Sequence, residues 1–242
     1  MKYKYEGNIL EGIFVSRPNR FIAHIQVGDE IVIAHVKNTG RMRELLIPGV
    51  ICYLLESNNP NRKTKYDLIS VWHKGLIINL DSQITNRVVA DAFLNGEIYG
   101  WENPDLVKRE VKVGNSRLDM RVDKGLDSLY VEVKGVDLVK ENKRAMFPDA
   151  PTIRGTKHLR ELEELVKMGN KAMVIFLIAR EDPVDFRPHY EMDPLFSETF
   201  YNVIENGVES RAYLTKNEKN TIEFYKEIPI LSRESAYKFS KL

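Results

Sequence analysis

The sequence predicts an α/β (α+β) protein of two parts, an N-terminal OB-like β-barrel and a C-terminal domain of αβββαβ order. Three observations lead to this class. Short strand-like segments separated by turn residues fill the first 80 positions. An amphipathic helix follows from Thr85, and the apolar segment AMVIFLIA at 172–179 is typical of a strand buried on both faces. The change of pattern near residue 82 gives predicted domains at 1–82 and 83–242.

The first domain alternates apolar and polar residues between turns such as Gly28-Asp29 and Pro48-Gly49. About five strands in so short a segment are typical of a small barrel such as the OB-fold. The predicted strands span residues 7–15, 20–27, 30–36, 50–56 and 66–72 with 76–80.

The second domain begins with a short helix that Asn95-Gly96 should end. A later helix should be capped by Asp193, with Pro194 in its first turn. The remaining predicted elements are strands at 107–113, 117–122 and 129–134, a helix at 156–169, the buried strand at 171–179, and late strands in VESRAYL and TIEFYKEI.

The composition is that of a soluble globular protein, with 43% hydrophobic and 29% charged residues among 242. The longest apolar segment is far shorter than the roughly 20 residues that span a bilayer. A single cysteine, Cys52, cannot form an internal disulfide. We therefore expect a cytoplasmic protein with no membrane partner. The sequence does not predict an oligomeric state.

The net charge is only +1, but the charges are unevenly distributed. Residues 1–80 hold 11 Lys/Arg and 7 Asp/Glu, a net of +4, whereas residues 81–242 hold 25 and 28, a net of −3. A basic first third is compatible with binding of a polyanion. Sampling variation explains the same numbers, so charge alone leaves both interpretations open.

The segment RLDMRVDKGLDSLYVEVKG at 117–135 places charge on two strands of the predicted sheet. Strand side chains alternate between faces, so Asp119, Glu132 and Lys134 should collect opposite a clean apolar face. Two neighbouring carboxylates can supply the oxygen ligands that Mg²⁺ prefers, and a nearby lysine can orient or activate an attacking water. The alternative is a solvated strand face with weak ion pairs.

The order of elements favours the first interpretation. Asp119 and Glu132 fall on the second and third strands, and the next helix carries Lys157 and His158. This is the layout of the PD-(D/E)xK nuclease fold. We therefore assign candidate catalytic roles to Asp119, Glu132, Lys134, Lys157 and His158.

Seven segments between residues 17 and 214 resemble the sugar fermentation stimulation protein A (SfsA) family. They are RPNRF, AHVKNTGRMRELLIPG, NRKTKYDL, EVKVGNSRLDM, YVEVKGVDL, FPDAPTIRGTKHLREL and GVESRAYL. The resemblance implies an OB-like barrel, a PD-(D/E)xK-like domain and DNA binding with little sequence preference, and a poorly defined role in the regulation of maltose metabolism. It does not imply a proven reaction.

A metal ion, Mg²⁺ or Mn²⁺, is the expected cofactor. The candidate ligands are Asp119, Glu132 and the carbonyl of Val133, with Asp91 from the first helix as a further ligand or as a polar surface residue. Several nucleases of this fold carry an acid on that helix. The SfsA family more often has Glu there, which leaves the reach of the shorter Asp91 open.

Nucleic acid, DNA or RNA, is the expected partner, and basic residues in both domains are candidates for contacting it. OB-type barrels combine a cationic groove with aromatic platforms. In AHVKNTGRM, however, the arginines can equally clamp the two domains together. Residues that follow the FPDAPTIRG loop can hold a phosphate at a helix start, or can simply be polar residues of a first turn. The candidate nucleic-acid-binding residues are Arg17, Arg20, Asn38, Arg41, Arg43, Lys63, Lys65 and Arg154.

Two functions of different classes remain at this point. The first is a metal-dependent phosphodiesterase, a nuclease, that grips its substrate with the basic barrel. The second is a non-catalytic, sequence-nonspecific DNA-binding regulatory protein on a nuclease scaffold. Two acids facing a phosphate favour the first, because without a cation they would repel nucleic acid.

Overall fold

The computed structural model describes residues 1–38, 40–114, 116–140 and 142–239. Fifteen strands and four helices lie within this part of the chain. The strands are β1 (Lys2–Lys4), β2 (Ile9–Asn19), β3 (Ile22–Val27), β4 (Glu30–Val36), β5 (Ile51–Glu56), β6 (Tyr66–His73), β7 (Leu76–Asn79), β8 (Leu106–Val113), β9 (Ser116–Lys124), β10 (Asp127–Val136), β11 (Arg144–Phe147), β12 (Lys171–Ile178), β13 (Asp185–Pro188), β14 (Glu209–Asn217) and β15 (Thr221–Ile228). The helices are α1 (Thr85–Leu94), α2 (Ile153–Lys167), α3 (Pro194–Glu205) and α4 (Arg233–Phe239).

The N-terminal strands close into a barrel. Neighbouring strands pair in the order β4-β3-β2-β5-β6, and a parallel pairing of β4 with β6 at Ala34 and Tyr66 closes the ring, with β7 as a hairpin extension. The interior is filled by buried apolar side chains including Ile25, Leu54 and Leu68. Each such side chain contributes about 1.5–3 kcal/mol through its removal from water.

The second domain is a mixed seven-stranded sheet with the order β1-β15-β14-β12-β10-β9-β8. The central strands β10, β12 and β14 run parallel, and both sides of the sheet continue with antiparallel strands. Strand β12 contains the segment at 172–178, which is buried on both faces as its sequence predicts. Strands β11 and β13 form a separate two-stranded sheet.

Helices cover both faces of the large sheet. Helix α1 packs Val88, Val89 and Phe93 onto one face. Helices α2 and α3 pack their apolar faces onto the other, where Phe176 of β12 stacks on Phe186 with ring centroids 4.1 Å apart. The sheet is therefore the middle of three layers, and its edges and strand ends remain available for a site.

The predicted fold class is confirmed, including the αβββαβ order of α1, β8, β9, β10, α2 and β12. Asp193 caps α3 as predicted, its side chain accepting from the Phe196 N–H. Four elements were not predicted, namely β1, β11, β13 and α4. Each is seven residues or shorter, too short to show a clear period. Residues 2–4, placed in the barrel domain from sequence, instead pair with β15 in the large sheet.

No helix among the described residues has the length and apolar character needed to cross a bilayer.

Candidate active site

The carboxylates of Asp119 and Glu132 lie where β9 and β10 separate. The ladder between the two strands ends at Val131 and Met120, one residue before this pair. Beyond that point Asp119 replaces the strand contact, because its Oδ2 accepts a hydrogen bond from the Val133 N–H at 2.8 Å. The predicted neighbourhood of the two acids is thus present in the structure.

The pairing of β8 with β9 is interrupted at Asp119. The register is the same on both sides, but Asp119 and the opposite residue Glu110 do not pair, and the Glu110 φ of 55° is in the left-handed region. In β9, Met120 belongs to the apolar cluster under α1, whereas Leu118 belongs to the cluster under α2. The regular alternation of side chains therefore breaks at Asp119, between Leu118 and Met120.

Glu132 is the most constrained acid of the site, with 2% of its surface exposed. Its Oε1 accepts from Lys134 Nζ at 2.6 Å and also contacts His158 Nδ1. Its Oε2 is buried and has no hydrogen-bond partner in the described part of the chain. A carboxylate oxygen buried without a partner is costly, so it indicates a position prepared for a ligand.

Helix α2 supplies the imidazole of His158. The cap at Thr152, whose side chain accepts from the Gly155 N–H, starts the helix so that His158 faces the sheet. Arg154 Nε donates to His158 Nε2 at 3.4 Å. Because a guanidinium can only donate, Nε2 is the acceptor, and the proton of a neutral His158 lies on Nδ1, towards Glu132.

The pKa values of the two acids move in opposite directions. Burial, together with the neighbouring Glu132 carboxylate, raises the pKa of Asp119. Burial also acts to raise the pKa of Glu132, but hydrogen bonds from His158 and Lys134 outweigh it and hold this pKa below its usual value. Two neighbouring carboxylates whose pKa values are shifted in opposite directions are typical of a functional site.

Asn86 belongs to the site, although the sequence did not point to it. Its Nδ2 donates to Asp119 Oδ1 at 2.6 Å from the first turn of α1. Asp91, the predicted further ligand, does not join the pair. It lies about 140° around the helix from Asn86, and its carboxylate is 3.7 Å from Arg87 Nε. The first helix therefore contributes an amide in place of the expected acid.

Lys157 also lies apart from the carboxylates. It is exposed on α2, and its Nζ is 3.4 Å from Glu161, one turn further along the same helix. His158 is buried against the sheet, whereas its neighbour Lys157 is rotated away from it. The predicted catalytic role of Lys157 is therefore not supported by its position.

The structure gives Arg17 a role within the barrel. Its guanidinium donates to the carbonyls of Asn38 and Arg20 through Nη2, and to those of Gly40 and Arg41 through Nη1, at 2.7–2.9 Å. Burial lowers the pKa of Arg17, and Arg20 acts in the same direction. With four carbonyls on one guanidinium, Arg17 holds the loop that carries the other arginines and is a support for them.

Arg20, Arg41 and Arg43 are exposed and line one shallow surface depression. Lys63 is also exposed, and Lys65 pairs with Glu56 at 2.8 Å. The predicted basic surface of the barrel thus consists mainly of the three arginines. We call Arg20, Arg41 and Arg43 the barrel arginines.

The loop of the barrel arginines is bound to the second domain. Asn38 Nδ2 donates to Asp137 Oδ2 at 2.7 Å, and the Arg41 N–H donates to Asp149 Oδ2 at 2.9 Å. The added Cβ of any residue replacing Gly40 would meet Asp149 at 2.9 Å, so only glycine fits without a shift. The arginine side chains therefore do not clamp the domains in the described structure, because the Asn38 side chain and the Arg41 N–H make the contacts. Contact of the exposed arginines with phosphate stays a prediction.

Asp119 and Glu132 offer few protein ligands to a divalent cation. No three His, Cys, Asp or Glu side chains of the described chain gather into a full ligand set. Mg²⁺ does not require one, since it usually keeps several waters and takes one or two carboxylates plus substrate phosphates. The free Glu132 Oε2 beside Asp119 meets this requirement.

An OB-type barrel joined to a nuclease-like α/β domain defines the class of protein. A family model described as "SfsA N-terminal OB domain" matches residues 15–80, and one described as "Sugar fermentation stimulation protein RE domain" matches residues 83–221. The chain belongs to the sugar fermentation stimulation protein family, which confirms the resemblance found in its sequence.

Relatives from several organisms are similar over nearly their whole length. A sugar fermentation stimulation protein homolog of Alkaliphilus metalliredigens is 47% identical over 88% of this chain and 92% of its own. The homolog of Methanobrevibacter smithii is 45% identical over 88% and 93%. A solved structure, described as Pyrococcus furiosus SfsA in complex with Ca²⁺, has a TM-score of 0.88 at 30% identity, covering 96% of this chain and all of that one.

Proposed function

We propose that this protein is a metal-dependent phosphodiesterase, a nuclease that acts on DNA or RNA with little sequence preference. The observation that carries the proposal is the buried, unpartnered Oε2 of Glu132 beside Asp119. The related Pyrococcus furiosus protein, whose structure is described as a complex with Ca²⁺, supports a divalent-cation site in this fold.

Asp119 and Glu132 would hold Mg²⁺ or Mn²⁺, with the Val133 carbonyl as a further candidate ligand. A bound divalent cation polarises a phosphoryl oxygen and lowers the pKa of a coordinated water. His158 and Lys134 fix the Glu132 carboxylate through Oε1, which leaves Oε2 without a partner and would allow it to bind the cation. These two contacts would also orient the carboxylate as a ligand.

Lys134 has the second role in this proposal. Its ammonium lies within 2.6 Å of a metal-ligand carboxylate and has three donors, of which Glu132 takes one. The others can orient the attacking water and stabilise the charge that develops on the phosphate. Arg154, next to His158, can contact the same phosphate, and the barrel arginines can contact the backbone further along the substrate.

The test is cleavage of single-stranded DNA, duplex DNA and RNA with and without Mg²⁺ or Mn²⁺. We expect Asp119→Ala, Glu132→Ala and Lys134→Ala to lose at least about 100-fold in rate. Asp127→Ala, a carboxylate at the far end of the same strand that pairs with Lys171, is the matched control and should cleave normally. Asp91→Ala should also retain activity.

Metal-independent binding with no cleavage of any substrate would contradict the proposal. It would leave the non-catalytic DNA-binding protein as the function of this scaffold.

A further inference from the structure

The hairpin of β8 and β9 carries a group of exposed cations that neither the predictions nor the proposed site uses. Strand β8 is the edge of the large sheet, and Lys108, Arg109 and Lys112 are all exposed on it. Arg117 of β9, opposite Lys112, is exposed as well. We call these four residues the hairpin cations.

The hairpin cations are largely without counter-ions. Within the described residues, Lys108, Arg109 and Lys112 have no ion pair, and Arg117 has one at 3.4 Å with Glu110, itself highly exposed. Elsewhere on the surface, lysines such as Lys167 are paired with acids on the same helix. The hairpin is therefore a local excess of positive charge.

The hairpin cations lie close to the carboxylates of Asp119 and Glu132 in the sheet. Strand β8 is two strands from β10, which corresponds to about 10 Å at the usual strand spacing. Glu110 of β8 lies opposite Asp119 in the register, with Lys108 two residues before it and Lys112 two residues after it. The hairpin cations thus flank the candidate metal site along the edge of the sheet.

We propose that the β8–β9 hairpin is a second contact surface for the sugar-phosphate backbone of the nucleic acid. This inference rests on the proposed function. The barrel arginines contact the same strand at the other end, and the scissile phosphate lies at the carboxylates between them. Exposed, unpaired Lys and Arg with no aromatic side chain among them suit phosphates and carry no base specificity.

The two surfaces define a length for the substrate. Asp137 binds the loop of the barrel arginines. It lies five residues after Glu132, which corresponds to about 17 Å along the strand. The hairpin lies about 10 Å from Glu132 at right angles to that direction. The straight path from the hairpin to Asp137 is therefore about 20 Å. At about 3.4 Å per nucleotide in a duplex strand, we expect a contact of about six nucleotides.

Edge strands often carry lysine only to prevent pairing with other chains. The structure offers a control for this explanation, because Lys4 and Lys226 are exposed, without ion pairs in the described chain, and lie in β1 and β15 at the opposite edge of the same sheet. Replacing these two lysines changes the net charge by the same amount as replacing Lys108 and Lys112.

The experiment measures the affinity for a duplex and a single strand of 12 nucleotides over a series of salt concentrations. Lys108→Ala/Lys112→Ala should weaken binding about tenfold near 0.1 M salt and reduce the slope of log K against log salt by about two. Lys4→Ala/Lys226→Ala should change neither, and Lys108→Arg/Lys112→Arg should keep both.

The outcomes separate this inference from the function on which it rests. If the unmodified protein binds no nucleic acid, the proposed function fails. If it binds, and the Lys108→Ala/Lys112→Ala protein retains the parent slope while folding normally, the hairpin inference fails alone. Equal losses in the control variant would indicate an effect of net charge only and would also overturn it. Dependence on the hairpin cations should disappear for strands shorter than about five nucleotides.

Discussion

The barrel and the nuclease-like domain each bury a carboxylate, and they treat it differently. In the barrel, Asp67 is 2% exposed and contacts Lys37 at 2.9 Å, both Arg62 Nη atoms, and His35 at 3.5 Å. In the other domain, Glu132 is equally buried but leaves one oxygen unpartnered. The barrel acid is neutralised by the protein itself, whereas the second site leaves part of its charge for something else.

The pKa values show the same contrast. Burial acts to raise the pKa of Asp67, but hydrogen bonds from Arg62 and Lys37 bring it below its usual value. At the second site Glu132 is held ionised while the pKa of its neighbour Asp119 is raised by burial and by Glu132. The structural acid Asp67 is surrounded by enough cations, whereas the pair of Asp119 and Glu132 is short of one, which agrees with the proposed metal site.

The largest expected effect of this contrast is on stability. Asp67→Ala should lower the free energy of unfolding by about 3 kcal/mol, because it leaves Arg62 and Lys37 without their shared partner. Asp119→Ala in metal-free buffer should change it by less than about 1 kcal/mol, since relief of repulsion from Glu132 offsets the hydrogen bonds from Asn86 and Val133. Urea unfolding measures both. Equal losses in the two variants would contradict the distinction.

The next effect is the stabilisation by metal. A cation at 100 times its dissociation constant should raise the free energy of unfolding by about 2.7 kcal/mol, seen as a rise in Tm of about 5–10 °C for a protein of this size. Glu132→Gln should lose this response to Mg²⁺ or Mn²⁺, and Asp91→Asn should keep it. Each protein is compared with itself in EDTA. A full metal response in Glu132→Gln would place the cation elsewhere.

The elements that the sequence predicted well are those with a strong period. Strand β12 is apolar from Ala172 to Ile178, α2 and α3 have clear apolar faces, and Asp193 caps α3, so their positions follow from local chemistry. The position of Asp119 and Glu132 on neighbouring strands was also predicted, because two strands joined by a short turn must be neighbours. The short strands β11 and β13 depend on contacts far apart in the chain, which a local pattern does not contain.

Two predicted site residues lie away from the carboxylate pair, and the cause is rotation about a helix. Asp91 and Lys157 have the right charge on the right helices but lie on the wrong sides of them. Asn86 occupies the correct side of α1 with an uncharged group. Arg17 was assigned to nucleic acid by charge alone, and the four carbonyls around it come from loop geometry that the sequence does not specify.

The smallest of the expected effects concerns the joint between the two regions. Asp137 faces the Asn38 amide, with the acids Asp149 and Glu44 nearby. Burial raises the pKa of Asp137 to about 7, Asn38 opposes this shift, and the two acids add to it. In the unfolded chain this carboxyl titrates near an ordinary aspartate pKa, so the folded state holds an extra proton between about pH 4 and pH 7.

The sign of the dependence follows from that proton. Stability contributed by protonated Asp137 is present at low pH and is lost as the pH rises through 7, by about 1 kcal/mol between pH 6 and pH 8. Asp137→Asn keeps an acceptor for Asn38 but has no proton to lose, so the difference in Tm between it and the parent should grow in its favour over this range. Thermal unfolding at several pH values measures the difference. A constant difference would show that the joint does not titrate there, and the loop of the barrel arginines would then be held with the same strength on both sides of neutrality.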